Sequence, residues 1–188
     1  RRAYEVLRER NPLPEICAYV CPAETQCEGS CVQAHLRGEP VPIRQLQAYV
    51  CDIARREGWV ALEAPGQLRE QRVAVIGAGP AGVACAIRLL QEGYAVTIID
   101  AAEEPGGIAA ETIPAERLLA EAAPAEVTAI LGGCDTDRLQ WRLGTRLSSE
   151  LTVDDLLAEG FDAVFVGVGM TQSAGLPGAG RPSEGVVD

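Results

Sequence analysis

Aromatic residues make up only 4% of this chain, histidine and methionine occur once each, and basic residues are outnumbered by acidic ones. Each shortage excludes something. Two Phe, two Trp and four Tyr are too few to tile a surface on which bases stack. Lys and Arg number 16 against 27 Asp and Glu, a net charge of −11 and the wrong sign for gripping a polyphosphate backbone by counterion release. Nucleic acid is therefore not an expected partner. No apolar run reaches the roughly 20 residues of a membrane span, and no basic-then-apolar leader opens the chain, so no membrane partner and a cytoplasmic location are expected. No Ser/His/Asp set emerges around the single histidine. His35 stands in a polar stretch beside Arg37 and Glu39, and reads as a solvated loop residue in preference to a ligand or acid–base group.

What is present is enough for one full core and a satellite: 188 residues, 47% of them hydrophobic. Arg1 is not an initiator Met, and the chain stops at Asp188 just after a Gly/Pro-rich turn, so a piece of a longer protein is expected. Residues 1–62 hold five of the seven cysteines and helical patterns such as Ile43, Leu46, Val50 and Ile53, which predict a small α-helical domain. Residues 63–71, with Pro65 and Gly66, read as a linker. From residue 72 to 188 the pattern is α/β: β-branched runs at 72–76 and 95–99 suit buried parallel strands, with a helix over 80–91 between them. Helices are expected over 115–131 and 152–159, with strands over 139–143 and 163–168. Glu103 with Glu104 and Asp154 with Asp155 read as solvated loop or helix-start charges.

The α/β part carries a phosphate-binding signature. Gly77, Gly79 and Gly82 form GxGxxG between strand and helix, and Asp100 ends the next strand 18 residues after Gly82. Gly77 allows the tight turn, Gly79 the approach of backbone to a pyrophosphate, and Gly82 close packing of helix on strand. Pro80 suits the first helical turn, where the amide it lacks would have no intrahelical partner. The helix start, Pro80, Ala81 and Gly82, is then an anion site. An acid at Asp100 can accept both hydroxyls of an adenosine ribose and repels a 2′-phosphate, which disfavours NADP there. The competing reading is a glycine turn used only for packing. The motif alone does not separate FAD from NAD. Gly106 and Gly107 after the second strand, and Gly169 after a later one, are further points where a long dinucleotide would need backbone close by, and they favour FAD.

The helical part carries a cysteine array. Cys17, Cys21, Cys27 and Cys31 give CxxxCxxxxxCxxxC, four soft ligands in one short stretch. Iron–sulfur is the leading reading; structural zinc and plain buried thiols stay open beside it. Cys85 falls inside the helix after GxGxxG, where a small apolar core residue is wanted.

The stretches NPLPEICAYVCPAETQCEGSC (Asn11 to Cys31) and EPVPIRQLQAYVCD (Glu39 to Asp52), followed by RVAVIGAGPAG and PGGI, resemble the glutamate synthase small subunit and the related dihydropyrimidine dehydrogenase family. Gln47, where glutamate synthase-type members often carry an acid, and GGIAAETIPAERL lean toward the pyrimidine side. The resemblance implies an electron-input module. NAD(P)H on a domain inserted further along the chain reduces FAD, and electrons leave through two 4Fe-4S clusters toward a partner subunit or domain carrying FMN. By position, Cys21, Cys27 and Gln47 would belong to one cluster and Cys31 to the other, with Cys17 not a ligand and the remaining ligands upstream of Arg1. Asp100 replaces the family's more frequent Glu. A rival of another class is a non-catalytic docking scaffold with a zinc- or thiol-stabilised helical segment beside a degenerate nucleotide fold.

Overall fold

The computed structural model describes residues 1–119, 121–135, 137–149 and 151–170. The cysteine-bearing segment is helical: α1 (Arg2–Arg10), α2 (Pro14–Val20), a 3-10 turn at Ala23–Thr25, α3 (Val32–Arg37) and α4 (Ile43–Arg56). His35 sits exposed on α3, so the loop expected there is a short helix. In α4 the apolar stripe that marks the helix is not its most buried face. Leu46 is 52% exposed, whereas Cys51 and Ala54 are buried, because small side chains at these positions let α1 and α2 approach.

After the irregular stretch 63–71, the chain builds a parallel sheet from β1 (Arg72–Ile76), β2 (Ala95–Ile99), β3 (Leu139–Arg142) and β4 (Ala163–Val166), in the order β3-β2-β1-β4. β1 pairs with β2 from Arg72↔Ala95 to Ile76↔Ile99, and with β4 from Val73↔Ala163 to Ile76↔Val166. The crossovers are α5 (Pro80–Gln91), then α6 (Ile108–Glu111) with α7 (Ala122–Leu131), then α8 (Val153–Ala158). Strand alternation assigns the two faces. Val73, Val75, Val96 and Ile98 share a core with residues of α5 and α7, while Ala74, Ile76 and Ile99 meet Leu156 of α8 and Phe161. This is a three-layer α/β unit. Full burial of a side chain such as Ile98 or Ile130 stabilises by about 1.5–3 kcal/mol.

Two of the expected boundaries move by two residues or more, and those of β3 and α8 by one. The helix expected over 115–131 begins at Ala122. Pro124 has no amide and crowds the carbonyl four residues before it, so it is tolerated in a first turn and not in the middle of a longer helix. Arg117 and Leu118 instead donate their amides to the Pro114 carbonyl in a separate turn. The strand expected over 163–168 ends at Val166, and Gly167 donates its amide to the Ile76 carbonyl as the chain leaves the sheet. At α8 one of the two helix-start acids is more than a solvated charge: Thr152 and Asp155 form a reciprocal capping box, which holds the Asp155 carboxyl below its usual range.

The cysteine-bearing helices rest on the α/β unit. Tyr4, Leu13, Ile16, Cys51 and Ala54 join the same hydrophobic cluster as Ala123, Val127 and Ile130 of α7. Strand order reverses at β1, between β2 and β4, and the crevice outside the carboxyl ends of such strands is where an open α/β sheet receives ligands.

Candidate functional site

Gly77, at the end of β1, has φ +105°, and its amide bonds the Ile99 carbonyl. A Cβ on Gly77 would stand 2.3 Å from the Gly167 carbonyl oxygen, and one on Gly82 only 1.7 Å from the Gly77 carbonyl oxygen. Neither glycine can carry a side chain without moving main chain. Gly79 differs: a Cβ there would meet only the Gly107 Cα, at 3.8 Å. Packed backbone surrounds an open side at this one glycine, which is the geometry a cradle for a ligand requires.

The loop after β2 forms the second wall. Gly106 (φ +129°) donates its amide to the Ala78 carbonyl at 2.9 Å, and Gly107 (φ +53°) lies so close that a Cβ would be 2.8 Å from the Gly79 Cα. Helix α5 then starts with Gly79 as its cap and Pro80 in the first turn; no acidic side chain sits there. The amides of Ala81 and Gly82 fall in the first turn, where a helix supplies no carbonyl partner, and the positive end of the helix dipole favours an anion. Ala81 is exposed and Gly82 buried.

Asp100 projects at the end of β2. Its Oδ2 accepts the Ala78 amide at 2.5 Å and its Oδ1 the Ala102 amide at 2.8 Å. The carboxylate thus tethers the glycine turn to the loop carrying Gly106 and Gly107. Its two oxygens offer about four acceptor positions, so capacity for ribose hydroxyls remains. The residue lines a cavity of about 610 Å³ together with Ile76, Ile99, Thr145, Arg146 and Val168. Thr145 and Arg146, in the loop after β3, were not among the residues expected from the sequence. No motif marks them; β3, paired with β2, carries the chain to the carboxyl end of the sheet, where the cavity lies. Gly169, with φ +68° and no atom within 4 Å of a Cβ, lies just past β4 near that mouth.

In the helical segment, Cys21 closes α2 and its thiol points to Gln26 Oε1 at 3.6 Å, while Cys27 is exposed. Cys31 precedes α3. Its sulfur accepts the Val41 amide at 3.5 Å, and that bond, helped by amides of α3, holds the thiol below its usual pKa. Gln47 lies half-buried on α4, whose first turn is tied to the cysteine loop by Glu28 Oε1 accepting the Arg44 amide at 2.9 Å. Cys17 turns elsewhere, to Asn11 Oδ1 at 3.7 Å. Among the described residues no three or more His, Cys, Asp or Glu side chains gather as a metal site. The donor chemistry suits iron–sulfur binding, but these side chains do not by themselves complete a cluster.

A second polar group sits where α2 meets α7. Glu126, 3% exposed, accepts the amides of Glu15 and Ile16 at 2.8 Å each, one on each carboxylate oxygen. Burial pushes its carboxyl up to about 7 against the downward pull of those two amides, with Glu15 adding to the rise and Arg8 opposing it. Glu15, also raised by burial, pairs with Arg55 of α4 at 2.5 Å. The adjacent Cys51 thiol is pushed up to about 12, chiefly by burial.

Comparison with known proteins matches both halves. Residues 71–180 fit the family of pyridine nucleotide-disulphide oxidoreductases, and residues 1–59 fit domain II of dihydropyrimidine dehydrogenase, described as a 4Fe-4S cluster domain. The chain is 35% identical over 175 residues to the NAD-dependent dihydropyrimidine dehydrogenase subunit PreT of Escherichia coli, covering 93% of this chain and 41% of that protein. It is 36% identical to the glutamate synthase [NADPH] small chain of Escherichia coli, covering 91% and 35% respectively. With the small chain of Mycobacterium tuberculosis it shares 33% identity over 99% of this chain and 36% of that one. The chain therefore spans between about a third and two-fifths of these relatives.

Proposed function

Since the chain belongs to the pyridine nucleotide-disulphide oxidoreductase family and carries a dihydropyrimidine dehydrogenase-type iron–sulfur segment ahead of that fold, we propose that it is the electron-input part of an NAD(P)H oxidoreductase containing FAD and 4Fe-4S clusters. In this reading residues 72–188 hold the ADP part of FAD, residues 1–62 contribute to the clusters, and residues 63–71 join them.

The observation that carries the reading is the open side of Gly79 within otherwise contacting backbone. A pyrophosphate there would receive the amides of Ala81 and Gly82 at the start of α5, with Gly106 and Gly107 as the opposing wall and Gly169 at the rim. Asp100 would accept ribose hydroxyls with the lone pairs that the Ala78 and Ala102 amides leave. FAD, when bound, supplies the change from two-electron hydride chemistry to one-electron transfer. The chain's own groups bind and orient; none of them is assigned acid–base chemistry. Cys21, Cys27 and Gln47 would serve one cluster and Cys31 the other, with further ligands from outside these residues. NAD(P)H would bind a domain beyond those described, and an FMN-containing subunit or domain is the proposed recipient of the electrons.

The test is absorbance of the full-length protein with an iron and sulfide assay. Flavin peaks with a broad iron–sulfur shoulder, about eight irons per chain for two four-iron clusters, and bleaching on addition of NADH or NADPH are expected. A colourless protein, or one holding only zinc, would restore the scaffold reading.

A further inference from the structure

Helix α2 leads into Cys21 and has no cap of its own. Leu13 occupies the capping position with no side-chain hydrogen bond, and Pro14 follows. The next two amides, of Glu15 and Ile16, are orphan donors that a helix normally satisfies with the side chain of a residue just before it. Here both go to Glu126, roughly 110 residues later, whose two oxygens take one amide each at 2.8 Å. Glu126 is the one charged residue of α7, and it is buried where that helix meets α2 of the other half. On α2 itself, Glu15 turns away to Arg55 of α4, which ties the same short helix to its own segment.

We propose that Glu126 is a positioning residue: a carboxylate of the nucleotide-binding half that caps the cysteine-bearing helix α2 and thereby fixes Cys21 relative to the flavin site. The inference rests on the proposed electron path, since only that path gives the relative position a functional meaning. A hydrophobic contact alone leaves α2 freer to rotate against α7, because such contacts are non-directional. A carboxylate bound by two successive amides does not, because each bond needs its own distance and angle. The transfer of electrons out of the flavin is accordingly the step that depends on Glu126, whereas hydride transfer into it is not.

The test uses full-length protein at pH 8.5, where the Glu126 carboxyl is ionised, and two variants. Glu126→Gln keeps the shape but has one acceptor oxygen, and its amide nitrogen opposes a donor; Glu126→Ala removes both acceptors. Rapid mixing with NAD(P)H separates flavin bleaching from the slower loss of iron–sulfur absorbance. Flavin reduction within about twofold of wild type, with cluster reduction slowed by up to about a hundredfold and Ala worse than Gln, is expected, because losing one or both bonds lets α2 shift Cys21 from its place. Equal cluster reduction in all three proteins overturns the inference. So does a parallel loss of flavin reduction, which would make Glu126 a residue of the general fold. Amide hydrogen exchange of Glu15 and Ile16 in the wild-type protein gives a check free of folding defects: protection there is required, and exchange as fast as in an unstructured chain refutes the cap. If the wild-type clusters accept no electrons from a reduced flavin, the proposed function fails, and the exchange result still decides the cap.

Discussion

The two halves of this molecule build their sites from different material. The nucleotide-binding half uses main chain: Gly77, Gly82 and Gly107 each press against other backbone, and Asp100 secures the arrangement through the Ala78 and Ala102 amides. The cysteine-bearing half uses side chains on short helices, and those helices are held by carboxylates from elsewhere, Glu28 at α4 and Glu126 at α2. The first kind of site is complete in its own loops and tolerates little substitution. The second depends on how separate pieces are docked.

That contrast is broken most severely at Gly82. Gly82→Val forces atoms into the Gly77 carbonyl, where a Cβ would already stand 1.7 Å away, so helix α5 must leave the sheet. A loss of more than about 4 kcal/mol is expected, read as failure to give a cooperative thermal transition. A variant with wild-type melting would contradict the backbone-packing account.

The cysteine half is sharpened by thiol chemistry. Cys31 is accessible and held below its usual pKa by the Val41 amide, whereas Cys51 is 2% exposed and pushed up to about 12. Because the thiolate is the reactive form, iodoacetamide at pH 8 acting on protein without clusters should label Cys31 at least about a thousandfold faster than Cys51. Comparable rates, read by mass spectrometry of the labelled peptides, would mean that α4 does not bury the face assigned to it.

A smaller effect is expected at Asp100. Removing its carboxylate in Asp100→Ala deletes the tether to Ala78 and the ribose acceptor together, for about 1.5–3 kcal/mol of FAD affinity, or roughly ten- to a hundredfold in Kd. An unchanged Kd by flavin titration would remove Asp100 from the site.

The strands 72–76 and 95–99 and helix 80–91 were legible to the residue, because β-branched runs, glycine turns and Pro80 all favour the same local geometry. The start of α7 lies later than periodicity alone predicts, because Pro124 is compatible with a first turn and not with the middle of a longer helix. Thr145 and Arg146 were missed because nothing local marks them; they reach the cavity only through the register of β3 against β2. Glu126 could have been noticed as a lone carboxylate in an apolar run, although its partners, so distant in sequence, could not. On α4, spacing revealed the helix without revealing which side of it packs.

The central claim is that the open side of Gly79 is where a pyrophosphate of FAD rests, and Gly79→Val tests it most directly. A Cβ there meets no atom nearer than 3.8 Å, so the fold should survive while the ligand's space is filled. Flavin per chain in the purified full-length variant, measured beside its circular dichroism, is the decisive quantity. The account predicts a native spectrum with almost no flavin; a native spectrum with a full flavin complement would contradict it.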